Sequence, residues 1–377
     1  MTAPEAEKSL HMLMTTDAVG GVWQYVLDLA GGLRTHGVRT TVAVLGPEPS
    51  VDQQAVAKAA GAELVVTDLP LDWTASHEGE VKEASQSIAR LATQIRPDLV
   101  HLNAPALAAH AEFDVPVVAA CHSCVATWWQ AVKGGPLPED FIWRTDLVMR
   151  GYASASRLLA PTRAFAQATA GAYGLTQPPA VVRNGRRSLQ GGADARSETF
   201  VFTAGRLWDE GKNFSALDRM AACLSIPVLA AGPMQGPNGT QVEAHHAKAL
   251  GRLSDEDVAR YLSKQPIFVS TALYEPFGLA VLEAAQAGCT LVLSDIPTFR
   301  ELWDGAALFV DLSNEREAAD AVDRLVQDPD ARALLGRAAR KRAEVYSVEA
   351  MTKGVLGVYR SALAGTSHGS SLEGAAA

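Results

Sequence analysis

No apolar run in the 377-residue chain is long enough to span a membrane, and the N-terminus, "MTAPEAEKSLHMLMTTD", lacks the charged-then-apolar layout of a secretion leader. A cytoplasmic protein is the expectation, and peripheral contact with the inner membrane face stays open on composition alone. A basic surplus is missing too. Lys and Arg number 33 against 42 Asp and Glu, a net charge of −9. Phosphate backbones attract basic surfaces, so general nucleic-acid binding is not expected, although a local basic pocket stays compatible. Cysteine is scarce: Cys121, Cys124, Cys223 and Cys289. Only "CHSC" has a motif-like spacing, and a lone C-x-x-C lacks the second pair a structural zinc site needs. Buried small hydrophobes account for the cysteines better than a redox motif does. The "DPD" at 328–330 lies between helical patterns rather than after a strand, so no metal site is expected there.

What the chain does have is alternation. Short β-branched runs such as "HMLMTT", "TTVAVLG", "DLVHLN" and "PVVAAC" in the first half, and "TFVFTAG", "PVLAAGP", "IFVST" and "TLVLSD" in the second, are separated by amphipathic segments. Strands alternating with helices predict βαβ units and parallel sheets. The continuous apolar character of the runs suits strands covered on both faces. The polar, glycine-rich "NGRRSLQGGADARSE" interrupts the pattern and marks a break. The expectation is an α/β protein of two doubly wound, Rossmann-like domains, at 1–190 and 191–350, with a helix at 351–365 and a disordered tail at 366–377. Two such domains in tandem face a cleft with their strand C-termini and helix N-termini, a geometry suited to an anionic, nucleotide-like ligand.

Four stretches are candidates for chemistry. In "TTDAVGGVWQYVL" the glycines Gly20 and Gly21 stand between a strand and a helix, where backbone can approach a ligand closely. The usual dinucleotide and P-loop fingerprints are absent here, and a bare βα turn explains the glycines as well. His122 ends the strand "PVVAAC" at the predicted cleft, placed either to touch a substrate or to bond a loop carbonyl. In "TAGRLWDEGKN", Arg206 and Lys212 follow the first strand of the second domain, where two cations can neutralise a diphosphate or remain solvated. Finally, "TALYEPFGLAVLEAAQAG" carries Glu275 in a predicted loop and Glu283 in a helix that starts near Gly278 and closes at Gly288. The amides of Phe277, Gly278 and Leu279 have no partners within such a helix.

These pieces, in this order, resemble the retaining glycosyltransferases of family 4, which have the GT-B fold. "YEPFGLAVLEAAQAG" is similar to that family's motif of two glutamates seven residues apart. "GRLWDEGK" is similar to its G-R followed by lysine, "ALGRLSDEDVARYL" to its base-side loop, and "SDIPTFREL" to the segment after the next strand. The resemblance implies an enzyme that moves a sugar from a nucleotide-sugar donor to a hydroxyl acceptor, with no cofactor and no metal. It assigns the diphosphate to Arg206 and Lys212, backed by Gly20 and Gly21. Glu275 with the Phe277, Gly278 and Leu279 amides would meet donor sugar and phosphate, and Glu283 the ribose. The loop at Gly251, Arg252 and Leu253 would meet the base, and His122 would sit beside the reacting centre. The last helix would cross back to the first domain.

One departure stands out: Arg186 and Arg187 follow Asn184-Gly185 where many relatives have a hydrophobic residue and Asp, so any role of that Asp is lost or relocated. Trp128, Trp129 and Trp143 lie in the acceptor-side domain and either stack on a sugar or pack. The basic stretch with Arg337, Arg340, Lys341 and Arg342 reads as a solvated helix face. A nucleotide-sugar epimerase and a non-catalytic sugar-nucleotide-binding protein are the alternatives.

Overall fold

The apolar runs become two parallel sheets. The computed structural model describes residues 9–189, 199–237 and 239–369. The first sheet comprises β1 (His11–Asp17), β2 (Arg39–Leu45), β3 (Ala62–Val66), β4 (Leu99–Leu102), β5 (Val117–Ala120), β6 (Arg157–Ala160) and β7 (Ala180–Val181). The second comprises β8 (Val201–Ala204), β9 (Val228–Ala231), β10 (Lys248–Gly251), β11 (Ile267–Ser270), β12 (Thr290–Ser294) and β13 (Leu308–Val310). Their orders are β3-β2-β1-β4-β5-β6-β7 and β10-β9-β8-β11-β12-β13. In both sheets the chain winds outward from its first strand and then returns to that strand's other side. The reversals fall between β1 and β4 and between β8 and β11. At such a point neighbouring connections diverge and leave a crevice at the strands' C-terminal ends. The predicted architecture is thus the observed one.

β1 shows why the runs lack polar alternation. Met12 and Met14 face the helix Gly21–Arg34 and the last helix, while Leu13 faces the opposite layer with Ile88. All three methionine and leucine side chains are fully buried, each worth about 1.5–3 kcal/mol. The second sheet repeats the arrangement: Phe202, Phe268 and Leu291 pack on one face, and Val201, Val269 and Val292 on the other.

Two strands differ from expectation. β7 is only two residues long with both side chains exposed, and β10 opens on the exposed Lys248 and Ala249, so neither presents an apolar run. "KALG" contains no β-branched residue and reads as loop, so Gly251 ends a strand rather than sitting inside the base-side loop. The expected domain boundary at 190/191 lies outside the described residues. The last helix spans Val348–Gly369, starting before residue 351 and running past 365, because extending a formed helix costs far less than nucleating one. The first residues of the expected disordered tail are therefore helical, and 370–377 lie outside the described residues. This helix returns to the first domain, where Met351, Val355 and Tyr359 join its core and the Tyr359 hydroxyl meets His101 Nδ1 at 2.6 Å. Among the described residues no helix is long and apolar enough to cross a membrane.

Candidate active site

The first domain contributes the ends of β1, β4 and β5. After β1, Asp17 Oδ1 accepts from the Val19 and Gly20 amides at 2.7 and 3.2 Å and so shapes the glycine turn. Gly20 is the residue before the helix Gly21–Arg34. A Cβ on Gly20 would lie 3.8 Å from Arg206 Nη1, and one on Gly21 3.5 Å from Leu279 Cδ1. The turn thus faces two residues of the second domain across a narrow gap. Asp17 escaped the sequence reading because its role is to bend backbone, and one aspartate among many gives no signal for that.

His122 follows β5. Its Nε2 meets Asn103 Oδ1 at 2.6 Å, and Asn103 Nδ2 donates to the Thr15 carbonyl at 2.7 Å. That second bond fixes Asn103 Oδ1 as the acceptor, so Nε2 carries the imidazole proton and Nδ1 the lone pair. The ring stands edge-on to Tyr25 at 4.5 Å. Burial pushes its pKa down to about 4, so the imidazole is neutral at physiological pH. The flanking thiols are inert: burial raises Cys121 to about 12 and Cys124 in the same direction.

The second domain contributes the ends of β8 and β11. Arg206 Nη2 donates to Asp209 Oδ2 at 3.0 Å, while Asp209 Oδ1 accepts from Trp128 Nε1 at 3.1 Å and from the Gly211 amide at 2.9 Å. Trp128 belongs to the first domain, so this bond crosses the cleft, as does the ion pair of Lys133 with Glu210. The Gly211 carbonyl accepts from both Leu273 and Tyr274 amides, locking the loop after β8 to the loop after β11. That lock brings Lys212 Nζ to 2.5 Å from Glu275 Oε2. The sequence assigned these two residues to different parts of a donor; the structure makes them partners. As expected, Glu275 lies in a loop and Glu283 in the helix Leu279–Ala287, which starts after a left-handed Gly278 at φ 90° and ends at Gly288.

Glu283 has an unforeseen partner. Arg186 is buried and donates from Nε to Glu283 Oε1 at 2.7 Å, from Nη1 to Asp28 Oδ2 at 3.2 Å and from Nη2 to Asp255 Oδ2 at 3.0 Å. Arg187 Nε adds a second bond to Asp28, at 3.2 Å to Oδ1. Burial opposes the charge on Arg186, but Glu283, Asp28 and Asp255 outweigh it and raise its pKa. Burial raises the Glu283 carboxyl, and Arg186 counters that. Arg186 therefore binds carboxylates from both domains, and Arg187 one from the first.

Two adjoining cavities share this ground. One of about 380 Å³ is lined by Gly21, His122, Arg206, Lys212, Glu275 and Glu283, with Phe277, Gly278 and Leu279 on its wall. The other, of about 560 Å³, is lined by Gly20, His122 and Arg206 and by Trp73, Trp128, Trp129, Trp143 and Trp208. Gly251, Arg252 and Leu253 line neither; Asp255 and Val258, just beyond them, face the smaller cavity.

The family description Glycosyltransferase Family 4 matches residues 19–186, and that of Glycosyl transferases group 1 matches residues 240–342. Over 155 residues the chain is 30% identical to a D-inositol 3-phosphate glycosyltransferase of Saccharomonospora viridis, covering 37% of this chain and 35% of the relative. It thus spans about a third of that protein's length. Over 306 residues it is 26% identical to a glycogen synthase of Mycobacterium tuberculosis, covering 72% and 70%. Among solved structures, a sucrose-phosphate synthase of Thermosynechococcus elongatus superposes with a TM-score of 0.77 at 16% identity, over 94% of this chain and 100% of the other. HepE of Anabaena, solved in complex with UDP-glucose, superposes with a TM-score of 0.73 at 18% identity, over 93% and 100%. The chain belongs to the family 4 glycosyltransferases and is built on the GT-B fold.

Proposed function

We propose that this chain transfers a sugar from a nucleotide-sugar donor to a hydroxyl acceptor with retention of configuration. The observation that carries the reading is the convergence of Arg206, Lys212, Glu275 and His122 on one cavity, at the C-terminal ends of central strands from both sheets. Arg206 and Lys212 neutralise the diphosphate as its bond to the anomeric carbon breaks, an electrostatic task matched to two fixed cations. The bond's electron pair leaves with the diphosphate. The acceptor oxygen bonds the same face of the anomeric carbon, and its proton passes to the departing phosphate. Glu275, already held by Lys212, orients the donor sugar. Glu283 keeps Oε1 on Arg186 and offers Oε2 to the ribose. His122, neutral, contributes a lone pair at Nδ1 without adding charge.

HepE, a protein of like fold, is solved with UDP-glucose, which supports a nucleotide-sugar as donor here. A screen of UDP-, GDP-, ADP- and dTDP-sugars for nucleoside diphosphate release tests the reading, with calorimetric titration of the released diphosphate into Arg206→Ala. Loss of a charge-assisted bond of about 1.5–3 kcal/mol predicts binding roughly ten- to a hundredfold weaker. Undiminished affinity would remove Arg206 from the diphosphate site. Neither release nor binding with any of the donors would sink the reading as a whole.

A further inference from the structure

We propose, resting on the reading above, that the acceptor is an uncharged hydroxyl compound with a flat apolar ring face, and that phosphorylated or carboxylated acceptors are excluded. The larger cavity is the space left beside the donor side, and His122 and Arg206 lie on the wall common to both. Its volume of about 560 Å³ falls within the ~300–1,000 Å³ typical of small-molecule sites.

Five of its lining side chains are indoles: Trp73, Trp128, Trp129, Trp143 and Trp208. A wall of rigid rings gains free energy from a partner that is itself flat and apolar on one face. Trp128 and Trp129 stand with centroids 6.5 Å apart and planes tilted by 46°. They do not stack on each other.

The charges on this wall decide against an anion. Five carboxylates, Asp17, Asp72, Asp140, Asp209 and Glu210, face three cations, Lys133, Arg144 and Arg206, a surplus of two negative groups. Each cation is already engaged. Lys133 pairs with Glu210, and Arg206, held by Asp209, is taken up by the donor diphosphate in the reading above. Arg144 lies 4.1 Å over the Trp143 ring and donates to the Ala75 and Asp140 carbonyls at 2.6 and 2.9 Å. The carboxylate of Asp72 takes the Trp73 amide at 3.0 Å; burial and the nearby Asp17 both raise its pKa. An anionic group entering here would meet this excess at short range with no free cation among the described lining residues, and a donor diphosphate on Arg206 would add to the repulsion. Hydroxyls, by contrast, can donate to Asp17 and Asp72.

The test is a tryptophan-fluorescence titration of the full chain with phenyl glucoside, galactoside and mannoside, each alongside its 6-phosphate ester. Every titration is repeated with the nucleoside diphosphate the chain binds, so that a phosphate ester cannot register by entering the donor side. Saturable binding of at least one neutral glycoside, tenfold or more tighter than its phosphate ester, is expected. Asp72→Asn should then narrow that gap by strengthening the ester. Equal or tighter binding of the esters, or no saturation with any neutral glycoside, overturns the proposal. So does an Asp72→Asn chain in which both ligands weaken alike. The titration needs no donor, so a chain that releases diphosphate but fails it refutes only the acceptor class. A chain that passes it but neither releases nor binds diphosphate refutes the transferase reading instead.

Discussion

Between Lys212 and Glu275 lies a 2.5 Å ion pair that the proposed donor would have to enter or rearrange. Glu275→Gln keeps the shape and removes the charge. Freed of its counter-ion, Lys212 should hold nucleoside diphosphate as well as before or better, whereas sugar transfer should fall roughly a hundredfold, the order seen when one preorganised polar group is removed from a reacting centre. Parallel losses in both would place Glu275 on the phosphate instead. His122 has a different signature. Its folded pKa of about 4 lies below the ordinary 6.5. Between those values the unfolded chain binds a proton that the folded chain refuses. Stability must therefore fall as pH drops through about 6.5, and this contribution stops growing near 4. His101 acts in the same direction, with burial lowering it to about 3. Urea midpoints measured from neutral pH downward should decline less steeply in His122→Gln; an unchanged slope would mean that the imidazole is not desolvated.

Helices as well as loops carry the contacts between the two domains. Trp128, on the helix Val125–Val132, reaches Asp209 in the turn that positions Arg206. Tyr274, in the loop after β11, sends its hydroxyl to Thr127 Oγ1 at 2.9 Å, close to the start of that same helix. Trp128→Phe keeps most of the ring and leaves Asp209 Oδ1 without its cross-domain donor. Diphosphate affinity is expected to drop by about 1 kcal/mol, roughly fivefold, the net worth of one such bond. Affinity equal to wild type would show that Arg206 does not depend on the first domain. The same elements show what was legible in the sequence. The β1 run "HMLMTT" announces itself because both faces of a central strand are covered. β7, two exposed residues long, and β10, half exposed, carry no such pattern. Glu275 and Glu283 could be told apart because Pro276 and Gly278 punctuate the chain between them. Arg186 could not be paired, because its partners Asp28, Asp255 and Glu283 come from distant segments and an isolated charge in a sequence carries no direction.

At the scale of the whole molecule, Arg186 ties Asp28 of the first domain to Glu283 and Asp255 of the second. Removing one partner from a buried ionic cluster is costly because the others remain uncompensated. Arg186→Ala should lose about 3 kcal/mol toward denaturant. Asp255 is largely exposed and Arg187 still reaches Asp28, which holds the loss to the lower end. The two domains should also drift apart, giving a larger radius of gyration in small-angle scattering. A variant as stable and as compact as wild type would show that the cluster holds nothing together.

The last helix has a consequence in time as well as in space. Its residues Met351, Val355, Leu356, Tyr359 and Ala362 complete a core whose other buried members lie between Met12 and Val182, so the first domain is assembled from the two ends of the described chain. The second domain lies whole in between. A ribosome adding about 5–20 residues per second leaves the first sheet without its closing helix for on the order of ten seconds, while the second sheet can already fold. Synthesis therefore runs from first domain to last, and completion runs the other way.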